Sequence, residues 1–291
     1  MTPVAVLAAI GLDAVDFALW GGDAIGTYGA EHVASARYPT FSDALLRYAD
    51  RHQVNLYGTQ LCVAIAGTVE GDAIRVTNGR WYVSRSGLSA VTGRPAHFLN
   101  DVSAIGHAIL AGHSTRPIGI GSLGVDVQRG CSIVVFADRG LGAAVIHRNG
   151  ADSIGDSEAG HAEFTPRTDA ENDIARAIRS DGRVTYEQML IALTRNGYLL
   201  RPVTSLQMDR VMLATILGRY CNMLALSVAA WNGIYLCGGA LDGIDRPDLH
   251  DAFYDGFLGQ GGMRNRLCRI PMMAVDQRGA IIRGLAAFSA R

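Results

Sequence analysis

Ser157-Glu158-Ala159-Gly160-His161-Ala162-Glu163-Phe164-Thr165-Pro166, read together with Phe98-Leu99-Asn100-Asp101 upstream, places an acid, an imidazole and an Asn-Asp pair in a Gly-punctuated background. Such groups suit a site that grips several hydroxyls and removes a proton from one of them. A polyol needs that mixture, because every buried hydroxyl must find a partner. Around the two stretches, short apolar strands and helices follow one another in two successive rounds. That alternation predicts an α/β chain built as two lobes with a cleft between them.

In the first round, residues 4–10 and 17–20 read as strands around a turn at Gly11, and 31–38 as a third strand. Ser42 is the predicted N-cap of a helix through His52. Residues 61–66 form a short apolar run, read as a buried strand. Segments 74–76 and 97–99 are further strands, and Asp101 stands where a helix begins. In the second round, 132–136 and 143–146 read as paired strands around Asp138-Arg139-Gly140-Leu141-Gly142. Thr168 is the predicted cap of a helix over 169–179. Thr185 and Gln188 resemble a capping box at the start of a helix over 185–193. A long helix over 208–229 leads to a strand at 234–237 and then Gly238-Gly239. A helix at 249–258, a strand at 270–274 and a helix at 280–290 close the chain.

With 291 residues, 49% hydrophobic and 18% charged, the chain can bury a real core in one large or two moderate domains. The formal net charge is −1 and basic residues are scattered, so no field favours nucleic acid. No helix-turn-helix segment precedes the first strand, which also speaks against a DNA-binding repressor. All 26 basic residues are arginine. Schiff-base lysine chemistry, the Walker A loop and the strand lysine of protein kinases are therefore excluded. The five cysteines are widely spaced without a Cys-x-x-Cys pair, which reads as free thiols in a reducing cytosol. No basic residue precedes the apolar start, so it reads as a strand and not as a signal peptide. The apolar stretch 211–230 is broken by Arg219, Tyr220, Asn222 and Ser227, which suits a buried helix better than a membrane span.

Each candidate group has a plainer structural role as well. Asp at a strand-to-helix junction is most often an N-cap, yet Asp101 is also placed to act as a general base. Asn100 can both donate to and accept from a sugar. Glu158 and His161 in a Gly-rich loop are ordinarily solvated, but together they offer an acceptor and a ring that donates or accepts. Glu187 sits in a first helical turn, where the helix dipole favours a carboxylate. Gly238-Gly239 after a strand is an ordinary turn, or a place where backbone approaches a flat ligand.

In this order, the segments resemble the bacterial glucokinase family of the actin-like ATPase superfamily, which also holds hexokinases. The resemblance runs from about Leu61 to the C-terminus. Gly71-Asp72 and Thr77-Asn78-Gly79-Arg80-Trp81-Tyr82-Val83-Ser84 look like the family's Gly-Asp and Thr-Asn-x-x-Trp-x-x-Ser segments. Asn100-Asp101 looks like its Asn-Asp-Phe, and Glu158 to Pro166 like its Glu-Gly-Gly-His-x-x-Phe-x-Pro. Gly182-Arg183-Val184-Thr185-Tyr186-Glu187, Gly218-Arg219-Tyr220 and Gly238-Gly239 also correspond.

The resemblance implies a two-lobed α/β fold of the actin-like ATPase (ribonuclease H-like) type with an interdomain cleft. The small α/β lobe would hold residues 1–105 plus 279–291, and the large α/β lobe 106–278. It implies Asp101 as the base that deprotonates the sugar 6-hydroxyl, with Asn100, Glu158, His161 and Glu187 holding the other hydroxyls. It implies nucleotide contacts at Gly11, Gly140, Gly142, Gly238 and Gly239, and Mg2+ with ATP. Glucose or a related hexose is the implied acceptor, for a cytoplasmic homodimer working in glycolysis, with no nucleic acid or membrane partner.

The donor side departs from the pattern. The family's Asp-x-Gly-Gly-Thr-Asn reads Ala9-Ile10-Gly11-Leu12-Asp13-Ala14, so its Asp is Ala9. Its Gly-x-Gly-Thr-Gly-Leu-Gly reads Phe136-Ala137-Asp138-Arg139-Gly140-Leu141-Gly142. Losing backbone nests and adding carboxylates weakens an ATP site, although Arg139 could meet a phosphate. Two functions stay open on sequence: an ATP-dependent hexose kinase, and a sugar-binding sensor or regulator without a normal ATP-phosphate site. A different phosphate donor is a third.

Overall fold

The computed structural model describes residues 3–22, 26–77, 79–118, 129–179, 182–195 and 206–291. Contacts divide the chain into two compact units, Met1–His113 with Gln277–Arg291, and Ser114–Asp276. In the first unit the order is β1 (Ala5–Ile10), β2 (Ala14–Trp20), β3 (Thr27–Ala34), α1 (Phe41–Arg51) and β4 (Gln60–Ile65). Then come β5 (Ala73–Arg75), β6 (Tyr82–Ser84), α2 (Arg85–Thr92), β7 (His97–Asn100) and α3 (Asp101–Leu110). The second unit runs β8 (Thr115–Pro117), β9 (Gly130–Ala137), β10 (Leu141–Arg148), β11 (Ser153–Ser157), α4 (Asp169–Ile178) and α5 (Tyr186–Arg195). It continues with α6 (Leu206–Val228), β12 (Ile234–Cys237), α7 (Pro247–Leu258), α8 (Arg264–Leu267) and β13 (Met272–Val275). The last helix, α9 (Ala280–Ser289), belongs to the first unit again.

The first unit's main sheet has the order β3-β2-β1-β4-β7. β1, β2 and β3 form an antiparallel meander, and β4 and β7 run parallel to β1. Every residue of β1 is buried, because helices cover both faces. Val6, Ala8 and Ile10 join the core under α1, with Leu45 and Tyr48. Ala5 and Leu7 point the other way, into a smaller core with Ala104 of α3 and Leu285 of α9. The strand period of two produces this division from an almost uniformly apolar run.

The second sheet has the order β11-β10-β9-β12-β13-β8. β9, β10 and β11 again form an antiparallel meander, and β12 and β13 again run parallel to its first strand. The two sheets thus repeat one plan that no fixed sequence period announces. Short β8 adds an antiparallel edge beyond β13.

Several local expectations shift. The cap of α1 is Thr40, not Ser42. Thr40 is extended, its hydroxyl accepts from the Asp43 amide, and the Asp43 carboxylate accepts from the Thr40 amide. The third strand starts at Thr27 and ends at Ala34, where the Ser35 amide donates to the Asp13 carbonyl and a 3-10 turn begins. A cut at 105/106 would pass through α3, whereas contacts divide the chain after it. Met208–Val228 is long and apolar enough to cross a membrane by length and composition. It nevertheless packs against α7 and buries Leu213, Ile216, Leu217, Tyr220 and Leu224, as a core helix does.

Candidate functional site

β11 ends at Ser157, and Glu158 leads into a 3-10 turn over Ala159–His161. Gly160 lets that turn lie directly on β10: a Cβ there would stand 2.0 Å from the Leu141 carbonyl oxygen. The chain then pairs with the segment before α5. The Phe164 amide donates to the Val184 carbonyl at 2.7 Å, and the Tyr186 amide to the Ala162 carbonyl at 3.2 Å. Glu163 and Thr185 form the bridge between the two segments. The predicted capping box starts α5: the Gln188 amide donates to Thr185 Oγ1, and the Thr185 amide to Gln188 Oε1.

This stitch sets His161 between two carboxylates. Its Nδ1 lies 3.3 Å from Glu187 Oε2, and its Nε2 lies 3.7 Å from Glu158 Oε2. The Glu187 side chain is only 12% exposed, against 53% for His161 and 52% for Glu158. Glu187 is therefore the anchored member, and its Oε1 accepts from the Leu141 amide at 3.4 Å. Gly140 stands against the same oxygen. The cluster offers acceptors and a ring that donates or accepts, at the surface of one unit. Chemically, such a set is suited to hydroxyls.

Beneath it lies a support that the sequence reading missed. Arg219 of α6 and Glu171 of α4 form an ion pair at 2.8 Å with side chains 5% and 4% exposed. Glu171 also accepts from the Arg167 amide at 2.7 Å, which ties down the chain leading into α4. The Arg219 guanidinium lies 5.0 Å from the Phe164 ring. The Thr168-x-x-Glu171 spacing, with Glu171 donating its amide to Thr168 Oγ1, was the signal that could have singled out Glu171.

Asn100 and Asp101 come together in the other unit, where β7 meets α3. Asn100 is the N-cap: its Oδ1 accepts from the Val102 amide at 2.8 Å and the Ser103 amide at 3.4 Å. Its Nδ2 donates to the Gly67 carbonyl at 3.2 Å, locking the cap to the loop after β4. Asp101 follows as the first helical residue, half-buried, with Oδ1 accepting from the Val102 amide at 2.8 Å. The capping role thus falls to Asn100 and leaves Asp101 just inside the helix. In the same unit, Asp72 accepts from the Ser86 amide and hydroxyl and from Ser84 Oγ. The Ser86 hydrogen bonds hold its carboxyl below the usual range. The Gly-Asp and Trp-x-x-Ser segments are therefore bound to each other. Asn78 lies outside the described residues.

In the loops expected to meet phosphate, several backbone groups bond within the chain itself. The Gly11 amide donates to the Ala14 carbonyl at 2.9 Å and closes the β1–β2 turn. Ala9 pairs in register with Asp16, whose carboxylate lies 2.6 Å from His32 Nδ1. The Asp138 amide donates to the Gly140 carbonyl at 3.1 Å, and Gly142 pairs with Phe136 inside the β9–β10 ladder. Gly238, at φ +112°, permits a close approach of the chain's own Ala137 carbonyl, which would lie 2.1 Å from a Cβ. Asp138 Oδ1 would lie 3.1 Å from a Cβ on Gly239. Alanine at position 9 supplies no oxygen ligand for a magnesium ion, and the Asp138 carboxylate over Gly239 adds a negative charge that disfavours a triphosphate there.

A model of the family described as "Glucokinase" matches residues 6–192 and 204–291. The chain is similar to a glucokinase of Stenotrophomonas maltophilia (strain R551-3), 28% identical over 287 residues, covering 88% of this chain and 85% of that one. It also resembles the solved structure of a Balamuthia mandrillaris glucokinase in complex with glucose. There the TM-score is 0.77 at 16% identity, with 99% and 93% of the two chains covered. A ROK family glucokinase from Streptomyces griseus, in complex with glucose and AMPPNP, has a TM-score of 0.59 at 16% identity, with 98% of each chain covered. Likeness at these identities establishes the fold as the two-lobed actin-like α/β type, as the sequence implies.

Proposed function

The chain belongs to the glucokinase family of sugar kinases, and from that premise we propose that it transfers the γ-phosphoryl group of ATP to the 6-hydroxyl of glucose or a closely related hexose. The observation that carries this reading is His161 held between Glu158 and Glu187, a set of groups suited to sugar hydroxyls. Glucose is chosen because the Balamuthia protein is described with glucose, and ATP because the Streptomyces protein is described with AMPPNP.

In this proposal Glu187 and Glu158 accept from sugar hydroxyls, and His161 donates to or accepts from another. Asn100 uses one N–H on Gly67 and offers the second to the sugar. Asp101 takes the proton of the 6-hydroxyl as that oxygen attacks phosphorus. Its place at the head of α3, with one oxygen fixed by the Val102 amide, restricts the carboxylate's orientation. No step is assigned to magnesium. A coupled assay for hexose 6-phosphate tests the proposal: Asp101→Ala should abolish turnover, and absence of turnover in the unmodified protein at millimolar sugar and ATP removes it.

One observation favours a second reading. The Asp138 carboxylate over Gly239 would repel a phosphate, which suits a sugar-binding sensor with weak or no catalysis. Calorimetry with glucose and Mg-ATP titrated separately distinguishes the two, since a sensor binds the first and not the second.

A further inference from the structure

Tyr220 of α6 is wholly buried, and its hydroxyl has no hydrogen-bond partner among the described residues. An unpaired buried hydroxyl is a cost to folding, and a phenylalanine would fill almost the same space without that cost. Packing explains the ring but not the oxygen.

The surroundings of the ring suggest why the oxygen is there. It lies 5.3 Å from the ring of Tyr186, the residue directly before Glu187. Tyr186 in turn meets Phe164 edge-on at 5.4 Å, on the strand-like segment that follows His161. Tyr220 is therefore packed directly beneath the start of α5 and, through Tyr186, is linked to the segment that follows His161. Burial above all pushes its pKa far up, Cys221 adds to this, and the negative charges of Glu158 and Glu187 add further. The phenol keeps its proton at any working pH and can only be useful to them as a donor.

We propose that Tyr220 is a positioning residue of the hexose site, whose hydroxyl donates to the Glu158 carboxylate, directly or through one water, once a bound hexose draws that half-exposed carboxylate inward. The hydroxyl finds its acceptor when a hexose is bound, so part of the binding energy of the sugar comes from completing this bond. The inference rests on the hexose reading above.

Tyr220→Phe tests it, because the substitution removes one oxygen and leaves the ring. The melting temperature without sugar should stay level or rise, since an unpaired buried group is lost. The hexose Kd, by calorimetry, should rise about tenfold, which corresponds to about 1.4 kcal/mol. In turnover, the KM for hexose should rise similarly, with kcat and the KM for nucleotide little changed. A variant that binds hexose as tightly as the unmodified protein overturns the inference and leaves the hexose reading standing. A lowered melting temperature without sugar also overturns it, because the hydroxyl was then already paired. If the unmodified protein binds no hexose, the reading beneath it falls first.

Discussion

His161 Nδ1 stands 3.3 Å from Glu187 Oε2, and neither side chain makes that approach by itself. It follows from two backbone hydrogen bonds, Phe164 to Val184 and Tyr186 to Ala162, which zip the end of one loop to the start of α5. Glu187 is then fixed a second time by the Leu141 amide. A carboxylate fixed in advance loses little freedom when a ligand arrives.

Glu187→Gln keeps an acceptor for Leu141 and removes the charge that faces His161. Hydrogen bonds to charged groups contribute about 1.5–3 kcal/mol, so hexose affinity should fall by about 10- to 100-fold. Calorimetry checks this, and an unchanged Kd would take Glu187 out of the site.

Arg219→Met leaves Glu171 buried without its partner. Such a loss costs about 3–5 kcal/mol, and urea unfolding should show it as a lowered midpoint. The double variant Glu171→Leu with Arg219→Met should recover most of the stability, because the uncompensated charge is gone. Equal midpoints for single and double variants would mean that the pair is not the source of the effect.

His107 in α3 meets the Phe288 ring edge-on at 5.2 Å, and its Nδ1 is buried. Burial first, and the charge of Arg291 second, lower its pKa from 6.5 to about 4. The folded value lies below the unfolded one, so between them the unfolded chain binds the proton first. The stability linked to neutral His107 is complete above about pH 6.5 and is lost as pH falls toward 4. His107→Gln should remove this slope. Chemical unfolding of both proteins across that window checks it, and parallel curves would refute a buried neutral ring.

Asp138→Gly removes the carboxylate that lies over Gly239. Mg-ATP should bind more tightly to this variant, by about tenfold for one like-charge contact relieved, or about 1.4 kcal/mol. The hexose Kd should not move. Equal nucleotide affinity in both proteins would show that the donor side is weakened elsewhere.

The elements most legible in the sequence are those with local signals. The apolar run of β1, the Thr185–Gln188 box and the Thr168 cap are each written within a few residues. The pattern that brings Asn100 and Asp101 to a helix start is equally local. β11 was not legible, because its Ser-Ile-Gly-Asp-Ser run has neither an apolar face nor a β-rich composition. It forms as an edge strand because β10 supplies the partner. Thr40 won over Ser42 as a cap for a comparable reason: both can cap, and the bend after the 3-10 turn decides which one is extended.

The sequence by itself determined which chemistry-bearing residues exist, that they fall at loop and helix starts, and that both phosphate loops carry carboxylates in place of glycine or threonine. Those facts reside in residue identity and short spacing, which sterics and capping read directly. Only the tertiary structure decided that His161 meets both Glu158 and Glu187, that Arg219 finds Glu171 from 48 positions away, and that Tyr220 is left with an idle donor under them. Contacts of that kind depend on how distant surfaces pack against one another, and no single stretch of chain carries the period or spacing that would announce them.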